Sequence, residues 1–152
     1  MVRRREEVWW MAAIQPAGVP AGIGGKPATA KAKQVLALPK GLVDPGEKPL
    51  ETALREVYEE TGVTAELVAK LGDIKYVYTR AWGDGERVFK IVSFYLMRYR
   101  SGRIDQIAPE MRIEVARAYW VRLADAAVRL AYKGEKQMAQ RAMEYLETHP
   151  EL

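Results

Sequence analysis

Three acidic side chains on one face of a single predicted helix constrain this chain more than any other feature of its sequence. A helix is expected over residues 49–61, because Pro49 suits the first helical turn and Gly62 suits the position just past the last one. The three carboxylates stand at positions i, i+3 and i+4 of this helix: Glu56, Glu59 and Glu60. Side chains at these spacings share a face, where like charges repel by about 0.2–0.5 kcal/mol per pair. A positively charged group must offset that repulsion.

Two interpretations of this acidic face follow from the residues alone. The plain one is a solvated face on which Arg55 neutralises part of the charge, and helix geometry by itself favours it. The other is a site for a hard divalent cation, because Mg²⁺ prefers carboxylate and water oxygens and adds substrate phosphates to one or two protein carboxylates. The preceding loop favours the second interpretation, since Gly41 offers an unobstructed carbonyl and Lys40 a cation suited to phosphate.

Composition restricts the chemistry of any such site. The chain has 152 residues, the size of one domain, and no Cys, which excludes disulfides, thiolate nucleophiles and cysteine zinc sites. The only histidine, His149, has no spacing partner and is expected to be solvent-exposed. Residues 8–25 form the longest uncharged stretch, but Gln, Pro and Gly interrupt it, so we expect no membrane span. With no targeting segment evident, a cytoplasmic protein is expected.

The rest of the chain is predicted to alternate strands and helices. Short strands are expected at residues 8–14, 35–38, 74–79, 87–99 and 118–123. Residues 15–34, rich in Gly, Pro, Ala and Lys, are predicted to be a long flexible loop, and residues 98–114 a second loop. A final helical portion over residues 124–147, broken near Gly134, carries an apolar stripe expected in the core: Met138, Ala142, Met143 and Leu146.

Residues 41–63 match a family pattern at every specified position. The pattern is G-x5-E-x7-R-E-U-x-E-E-x-G-U, with U aliphatic, and it is filled by Gly41, Glu47, Arg55, Glu56, Val57, Glu59, Glu60, Gly62 and Val63. This run resembles the Nudix box, and the LPKG that leads into it is similar to what many Nudix hydrolases carry there. The resemblance covers residues 35–123. It implies an α+β fold, an α/β/α sandwich around a central mixed sheet, in a single domain spanning residues 1–152.

The resemblance also implies roles for individual residues. The implied metal ligands are the carboxylates of Glu56, Glu59 and Glu60 and the backbone carbonyl of Gly41. Glu47 would pair with Arg55, which would orient the carboxylates. Many members recruit one further Glu before the last strand, and Glu114 is the best candidate here, with Glu110 behind it. The alternative for both is an ordinary charged loop residue. The implied cofactor is Mg²⁺, with Mn²⁺ as a substitute, and the general base is either Glu114 or a glutamate of the box.

Substrate contacts are predicted from residues 76–98, which resemble members acting on dinucleoside or diphosphoinositol polyphosphates. Lys90 lies in an apolar run, where a charge is costly unless it faces an anion or a carboxylate, and we favour a phosphate contact over a structural ion pair. Arg80 and Tyr78 are further candidates for phosphate and base contacts. A solvated turn charge is the favoured alternative for Arg80, and a core position for Tyr78.

The start of the chain departs from the family pattern. Members usually begin with a strand ending in a Gly-Gly segment that helps to build the nucleotide pocket, and nothing before Val8 supplies one. Either the start is truncated or residues 15–34 replace that wall. In both cases the base specificity stays open.

The leading hypothesis is a divalent-metal-dependent hydrolase of a nucleoside diphosphate linked to another moiety, such as a dinucleoside polyphosphate, working through activated water. One alternative is RNA 5′-pyrophosphate removal, which needs a basic path that Arg98, Arg100 and Arg103 could begin. The other is a silent nucleotide-sensing domain, against which the complete carboxylate set argues. Residues 41–63 carry a net charge of −4 and the rest +8, which favours a small polyphosphate over nucleic acid. The chain is expected to be a monomer or a homodimer, without a membrane partner.

Overall fold

A mixed sheet forms the centre of the protein in the computed structural model, which describes residues 2–17, 35–41, 43–79 and 85–152. Across these ranges five strands are hydrogen-bonded in the order β3-β4-β1-β2-β5. The strands are β1 (Val2–Arg5), β2 (Val8–Pro16), β3 (Val63–Thr79), β4 (Arg87–Gly102) and β5 (Val115–Arg122). The helices are α1 (Pro49–Thr61), α2 (Leu123–Arg129) and α3 (Lys133–Thr148), with a short 3₁₀ turn at Pro109–Ile113.

Strand pairing makes the sheet mixed. β1 and β2 form an antiparallel hairpin, β2 pairs antiparallel with β5, and β3 pairs antiparallel with β4 along its whole length. β1 pairs parallel with β4 at Val2 and Arg98. The predicted α+β class with a central mixed sheet is therefore confirmed.

Both faces of the sheet are covered by helices. Successive strand residues point to opposite faces, and on β4 Leu96 joins the core beneath α2 and α3 whereas Met97 joins the core beneath α1. Met138, Ala142 and Leu146 of α3 are buried in the first of these cores, as their helical spacing predicts. The outcome is the α/β/α sandwich that the resemblance implied.

The helix α1 begins and ends where the sequence predicts. Pro49 occupies its first turn, and the backbone N–H of Lys48 donates to Glu51 Oε2 at 3.1 Å. At its end Gly62 has φ of +83° and donates to the carbonyl of Tyr58 at 2.8 Å. A Cβ at position 62 would also lie 2.5 Å from the carbonyl oxygen of Gln106, so only glycine fits there.

Several predicted strand boundaries are wrong. β3 begins at Val63 rather than at residue 74. Its first half was not predicted because three register shifts between residues 64 and 72 break the alternation by which a strand is recognised in sequence. β4 extends into the predicted loop of residues 98–114 and ends at Gly102, and β5 begins at Val115, three residues before the predicted start of the last strand. Residues 35–38 make only isolated bridges instead of a strand. The arginine-rich β1 was not predicted at all.

Three further expectations concern the C-terminal helices, His149 and the predicted loop at residues 15–34. The break in the C-terminal helical portion falls at residues 130–132, so Gly134 lies inside α3. His149 is partly buried rather than solvent-exposed, because its ring stacks on Tyr145 at 3.9 Å. Of the predicted loop at residues 15–34, Gln15 and Pro16 belong to β2, and residues 18–34 lie outside the described ranges. No helix among the described residues combines the length and apolarity that crossing a membrane requires.

Removing the Leu96 side chain should strongly destabilise the protein, because Leu96 is 1% exposed in the core beneath α2 and α3. We expect Leu96→Ala to lower the free energy of unfolding by about 2–5 kcal/mol, measured by urea denaturation. Leu67→Ala on β3 is the matched control, because Leu67 is 45% exposed, and it should cost less than about 1 kcal/mol. Equal losses in the two variants would contradict the assigned core.

Candidate active site

The acidic face of α1 points into the protein. Glu56 and Glu60 are only 7% and 5% exposed, whereas Tyr58, on the opposite side of the helix, is largely exposed. Glu59 is partly buried. Helix geometry alone favoured a solvated acidic face, but the structure buries two of its three glutamates. Two carboxylates are instead enclosed side by side, which is costly unless cations compensate them.

Arg55 is the cation nearest to this cluster. Its Nε and Nη2 contact the two oxygens of Glu47 at 2.8 and 3.0 Å, in a bidentate arrangement. Its Nη1 donates to Glu56 Oε1 and Glu59 Oε2, each at 3.0 Å. Nη2 also lies 3.3 Å from Asp44 Oδ2. One guanidinium thus joins the loop before α1 to two of the helix glutamates.

Glu47 is held as a carboxylate by its surroundings. Hydrogen bonds from Arg55 and from the Thr52 hydroxyl lower its pKa to about 2. The hydroxyl donates to Glu47 Oε1 at 2.6 Å, and the backbone N–H of Asp44 donates to the same oxygen at 3.2 Å. Glu47 therefore remains ionised and keeps Arg55 in place.

Glu60 and Glu56 have the opposite environment. Burial, together with the charges of Glu56 and Glu114, raises the pKa of Glu60 to about 8, although the Lys40 N–H donates to Glu60 Oε2 at 2.9 Å. Burial also raises the pKa of Glu56, with Glu59 adding to the rise and Arg55 opposing it. With both glutamates ionised, the cluster would therefore carry more negative charge than its protein partners neutralise, which is a property of cation sites.

Gly41 makes room for this cluster. A Cβ built at position 41 would overlap the carboxylate of Glu56, so any other residue there would displace that side chain. Oxygen donors in a partly dry setting with excess negative charge fit a hard divalent ion. In this conformation, however, no three acidic or histidine side chains of the described ranges converge on one point. An ion would have to compete with Arg55 for Glu56 and Glu59.

Glu114 faces the same cluster from the loop before β5. Its charge raises the pKa of both Glu56 and Glu60, although its own side chain is exposed. Arg112 braces this loop by donating to Asp105 Oδ1 and to the carbonyl of Ala116, each at 2.9 Å. Glu110 lies exposed in the 3₁₀ turn.

The predicted substrate contacts are only partly assembled. Lys40 and Lys90 both line a cavity of about 120 Å³ beside Gly41, and their Nζ atoms lie 5.4 and 5.8 Å from the centre of the Tyr76 ring. Lys40 is also ion-paired with Glu135 at 3.2 Å, whereas Lys90 has no carboxylate within 4 Å among the described residues. The Tyr78 side chain and all of Arg80 lie outside what the structure describes.

Glu135 is the site residue that sequence reasoning missed. It lies 75 residues beyond the last glutamate of the box, in an amphipathic helix that carries three glutamates, where one more acidic residue gives no local signal. Only the tertiary fold brings it to Lys40. Asp44 and Thr52 were likewise not singled out, although both contact the Arg55–Glu47 pair.

Without metal, the protein should lose stability as the pH rises from about 4.5 to about 8. The folded chain holds the Glu60 proton more tightly than the unfolded chain, because its pKa is raised from 4.5 to about 8. The free energy of unfolding should therefore fall by on the order of a few kcal/mol as the pH rises across this window. In EDTA we expect the thermal midpoint of the wild type to fall between about pH 5 and pH 8. The fall should be shallower in Glu60→Gln.

A control variant separates this effect from general titration. Glu144→Gln removes an exposed carboxylate of α3 and should reproduce the wild-type fall. Glu47 does not interfere, because its lowered pKa affects stability only below about pH 4.5. A wild-type midpoint that stays level over the same range would contradict the assigned burial of Glu60.

Comparisons with known proteins identify the family of this chain. A family model described as NUDIX domain matches residues 23–142. A Mycobacterium tuberculosis protein designated MutT4 is 40% identical over 110 residues, which are 72% of this chain and 42% of that relative. An RNA pyrophosphohydrolase of Cereibacter sphaeroides is 42% identical over 71 residues, 41% of this chain and 43% of the relative. The chain thus spans less than half the length of these curated relatives.

A solved structure shares the fold. The Ap4A hydrolase of Caenorhabditis elegans, in a binary complex, superposes with a TM-score of 0.67 over 97% of this chain and 93% of that one. The two sequences are 21% identical, so this likeness concerns the fold alone. Because the family model covers most of the residues and the MutT4 relative is similar over 72% of them, the chain belongs to the Nudix hydrolase family.

Proposed function

We propose that this protein hydrolyses a phosphoanhydride bond in a nucleoside diphosphate linked to another moiety, with the help of a divalent metal. The observation that carries the proposal is the enclosed pair Glu56 and Glu60, whose negative charge is only partly compensated and which lies directly against Gly41. Burying two carboxylates side by side lowers the stability of the fold, and charged groups kept at such a cost cluster at functional sites. Binding a cation is the function that their oxygens suit best.

The ligands in this proposal are Glu56, Glu59 and Glu60, with the backbone carbonyl of Gly41, and the ion is Mg²⁺ or Mn²⁺. Bound ions of this kind neutralise phosphate charge and make water a better nucleophile near neutral pH. Arg55 contributes by holding Glu56 and Glu59 through its Nη1, while Glu47 fixes the other side of the guanidinium. No covalent intermediate is needed.

Glu114 is our candidate for the group that accepts the proton of the attacking water. Its carboxylate is close enough to raise the pKa of both buried glutamates, yet it remains exposed. Glu56 and Glu60 are instead engaged by Arg55 and by the Lys40 N–H. A base must be able to reach the attacking water, and an exposed carboxylate that faces the cluster can do so.

We propose a dinucleoside polyphosphate as the substrate class. Lys90 supports it, because its ammonium lines the cavity beside Gly41 and has no carboxylate within 4 Å in the described part of the chain. An ammonium so placed is free to meet a polyphosphate. The alternative of RNA 5′-pyrophosphate removal is less well supported, because Arg100 of the suggested basic path is ion-paired with Glu66.

A substrate panel tests the proposal directly. We expect the purified protein with Mg²⁺ to cleave a dinucleoside polyphosphate faster than nucleoside triphosphates, ADP-ribose, diphosphoinositol polyphosphates or triphosphorylated RNA, and to be inactive in EDTA. Products would be separated by ion-exchange chromatography. If nothing is cleaved with metal present, while nucleotides still raise the melting temperature, the protein is a sensing domain and the hydrolase proposal fails.

Two glutamate variants should separate metal binding from proton transfer. Glu60→Gln should lower kcat by about two to three orders of magnitude and weaken Mn²⁺ binding, because it removes a ligand. Glu114→Gln should lower kcat by about 10²-fold or more, retain Mn²⁺ binding and lose the acid limb of the pH–rate profile. Mn²⁺ binding would be followed by electron paramagnetic resonance.

The matched control lies on the same helix. Glu51→Gln keeps an oxygen that accepts the Lys48 N–H, and Glu51 is exposed and outside the cluster, so wild-type turnover is expected. Wild-type Mn²⁺ affinity in Glu60→Gln would remove the metal role proposed for Glu60. Weakened Mn²⁺ binding in Glu114→Gln would make Glu114 a ligand instead of the base.

A further inference from the structure

A completely buried carboxylate lies outside the Nudix box. Glu135, in the first turn of α3, has a relative exposure of 0% and accepts three hydrogen bonds. Its Oε1 accepts the backbone N–H of Leu38 at 2.5 Å. Its Oε2 accepts from Lys40 Nζ at 3.2 Å and from the Tyr76 hydroxyl at 3.1 Å. No other acidic side chain in the described part of the chain is so deeply enclosed.

The surroundings explain why a charge is tolerated there. The first turn of a helix favours an acidic side chain, because its free N–H groups carry partial positive charge. Burial and the Glu135 charge raise the pKa of Tyr76, which therefore stays protonated and keeps donating. Gly134 lets the start of α3 approach β3, since a Cβ there would lie 3.0 Å from Ile74 Cγ2. The carboxylate is thus fully satisfied and firmly located.

Glu135 connects α3 to the metal-binding glutamates through residues 38–41. One of its oxygens holds the backbone at Leu38 and the other holds the Lys40 ammonium, which also lies 5.3 Å from the centre of the Tyr132 ring. The next links are short. The Lys40 N–H donates to Glu60, and Gly41 lies directly against the Glu56 carboxylate.

We propose that Glu135 is a positioning residue, which acts through Lys40 and Leu38 to hold residues 38–41 against Glu60 and Glu56. In this assignment the Lys40 ammonium binds Glu135 and has a structural role, and the Lys90 ammonium contacts the substrate phosphates. The assignment rests on the proposed function, because it gives both lysines roles in that site. It departs from the sequence-based prediction, in which Lys40 contacts phosphate.

The two assignments of Lys40 predict different kinetics. If Lys40 positions Glu60, its loss should lower kcat and weaken metal binding, and loss of Glu135 should do the same. If Lys40 contacts phosphate, its loss should raise KM, and removing the Glu135 charge should leave kcat unchanged. In Glu135→Gln the amide oxygen can still accept the Leu38 N–H, while the amide nitrogen no longer accepts from Lys40 or from the Tyr76 hydroxyl.

The experiment compares Glu135→Gln, Lys40→Met, the double variant, Lys90→Met and the exposed control Glu144→Gln. We expect Glu135→Gln and Lys40→Met each to lower kcat by about 10–100-fold and to weaken Mn²⁺ binding about tenfold. The double variant should be no worse than either single variant, because both act through one contact. Lys90→Met should raise KM with Mn²⁺ binding unchanged, and Glu144→Gln should match the wild type.

A measurement without turnover accompanies the kinetics. Amide hydrogen exchange followed by NMR should show the Lys40 N–H exchanging about tenfold faster in Glu135→Gln than in Glu144→Gln, since its contact with Glu60 loosens. If Lys40→Met does not fold, the double variant still carries the test, because it leaves no buried charge unpaired.

The proposal is overturned if Lys40→Met raises KM as Lys90→Met does while Glu135→Gln keeps wild-type kcat and Mn²⁺ affinity. It is also overturned if Glu135→Gln lowers only the melting temperature, since that is a purely structural role. Absence of hydrolysis by the wild type would instead refute the proposed function. Mn²⁺ binding and Lys40 amide exchange would then still decide whether Glu135 positions residues 38–41.

Discussion

Repulsion among enclosed carboxylates is the constraint on which the site depends. The fold places Glu56 and Glu60 on the buried face of α1, where their charges are poorly solvated and close together. Arg55 relieves part of this repulsion by contacting carboxylates on both sides of it. Glu47, whose pKa is lowered so that it stays ionised, in turn holds Arg55 in place. The charge that Arg55 leaves uncompensated is the basis on which we propose a cation site here.

The surrounding structure serves to keep this unstable arrangement in one geometry. Gly41 must lack a side chain because the Glu56 carboxylate occupies that space. The loop carrying Glu114 is braced by the pair Arg112 and Asp105, and the Asp105 N–H also donates to the carbonyl of Thr61 at the end of α1. The helix that carries the glutamates and the loop that faces them are therefore tied together at one point.

Local signals in the sequence predicted the helix that carries the candidate site but not the residues that contact it from elsewhere in the fold. Pro49 and Gly62 define α1 because each acts within one helical turn, and the spacing of the glutamates follows from the helix. The first half of β3 could not be predicted, since its bulges remove the alternation on which strand prediction relies. Glu135 could not be predicted either, because its partners Tyr76 and Lys40 lie 59 and 95 residues away in sequence.

The hydrogen bonds of Glu135 also have a consequence for the order in which the site is completed. Residues 41–63 hold the whole glutamate motif and its Arg55 in one short stretch, whose contacts are local and can form early in folding. Leu38 and Lys40, by contrast, obtain their carboxylate partner only when α3 docks. A growing chain that has not yet reached α3 therefore contains every residue of the motif but not the Glu135 that contacts its leading segment. Full assembly of the site is coupled to the synthesis and docking of α3.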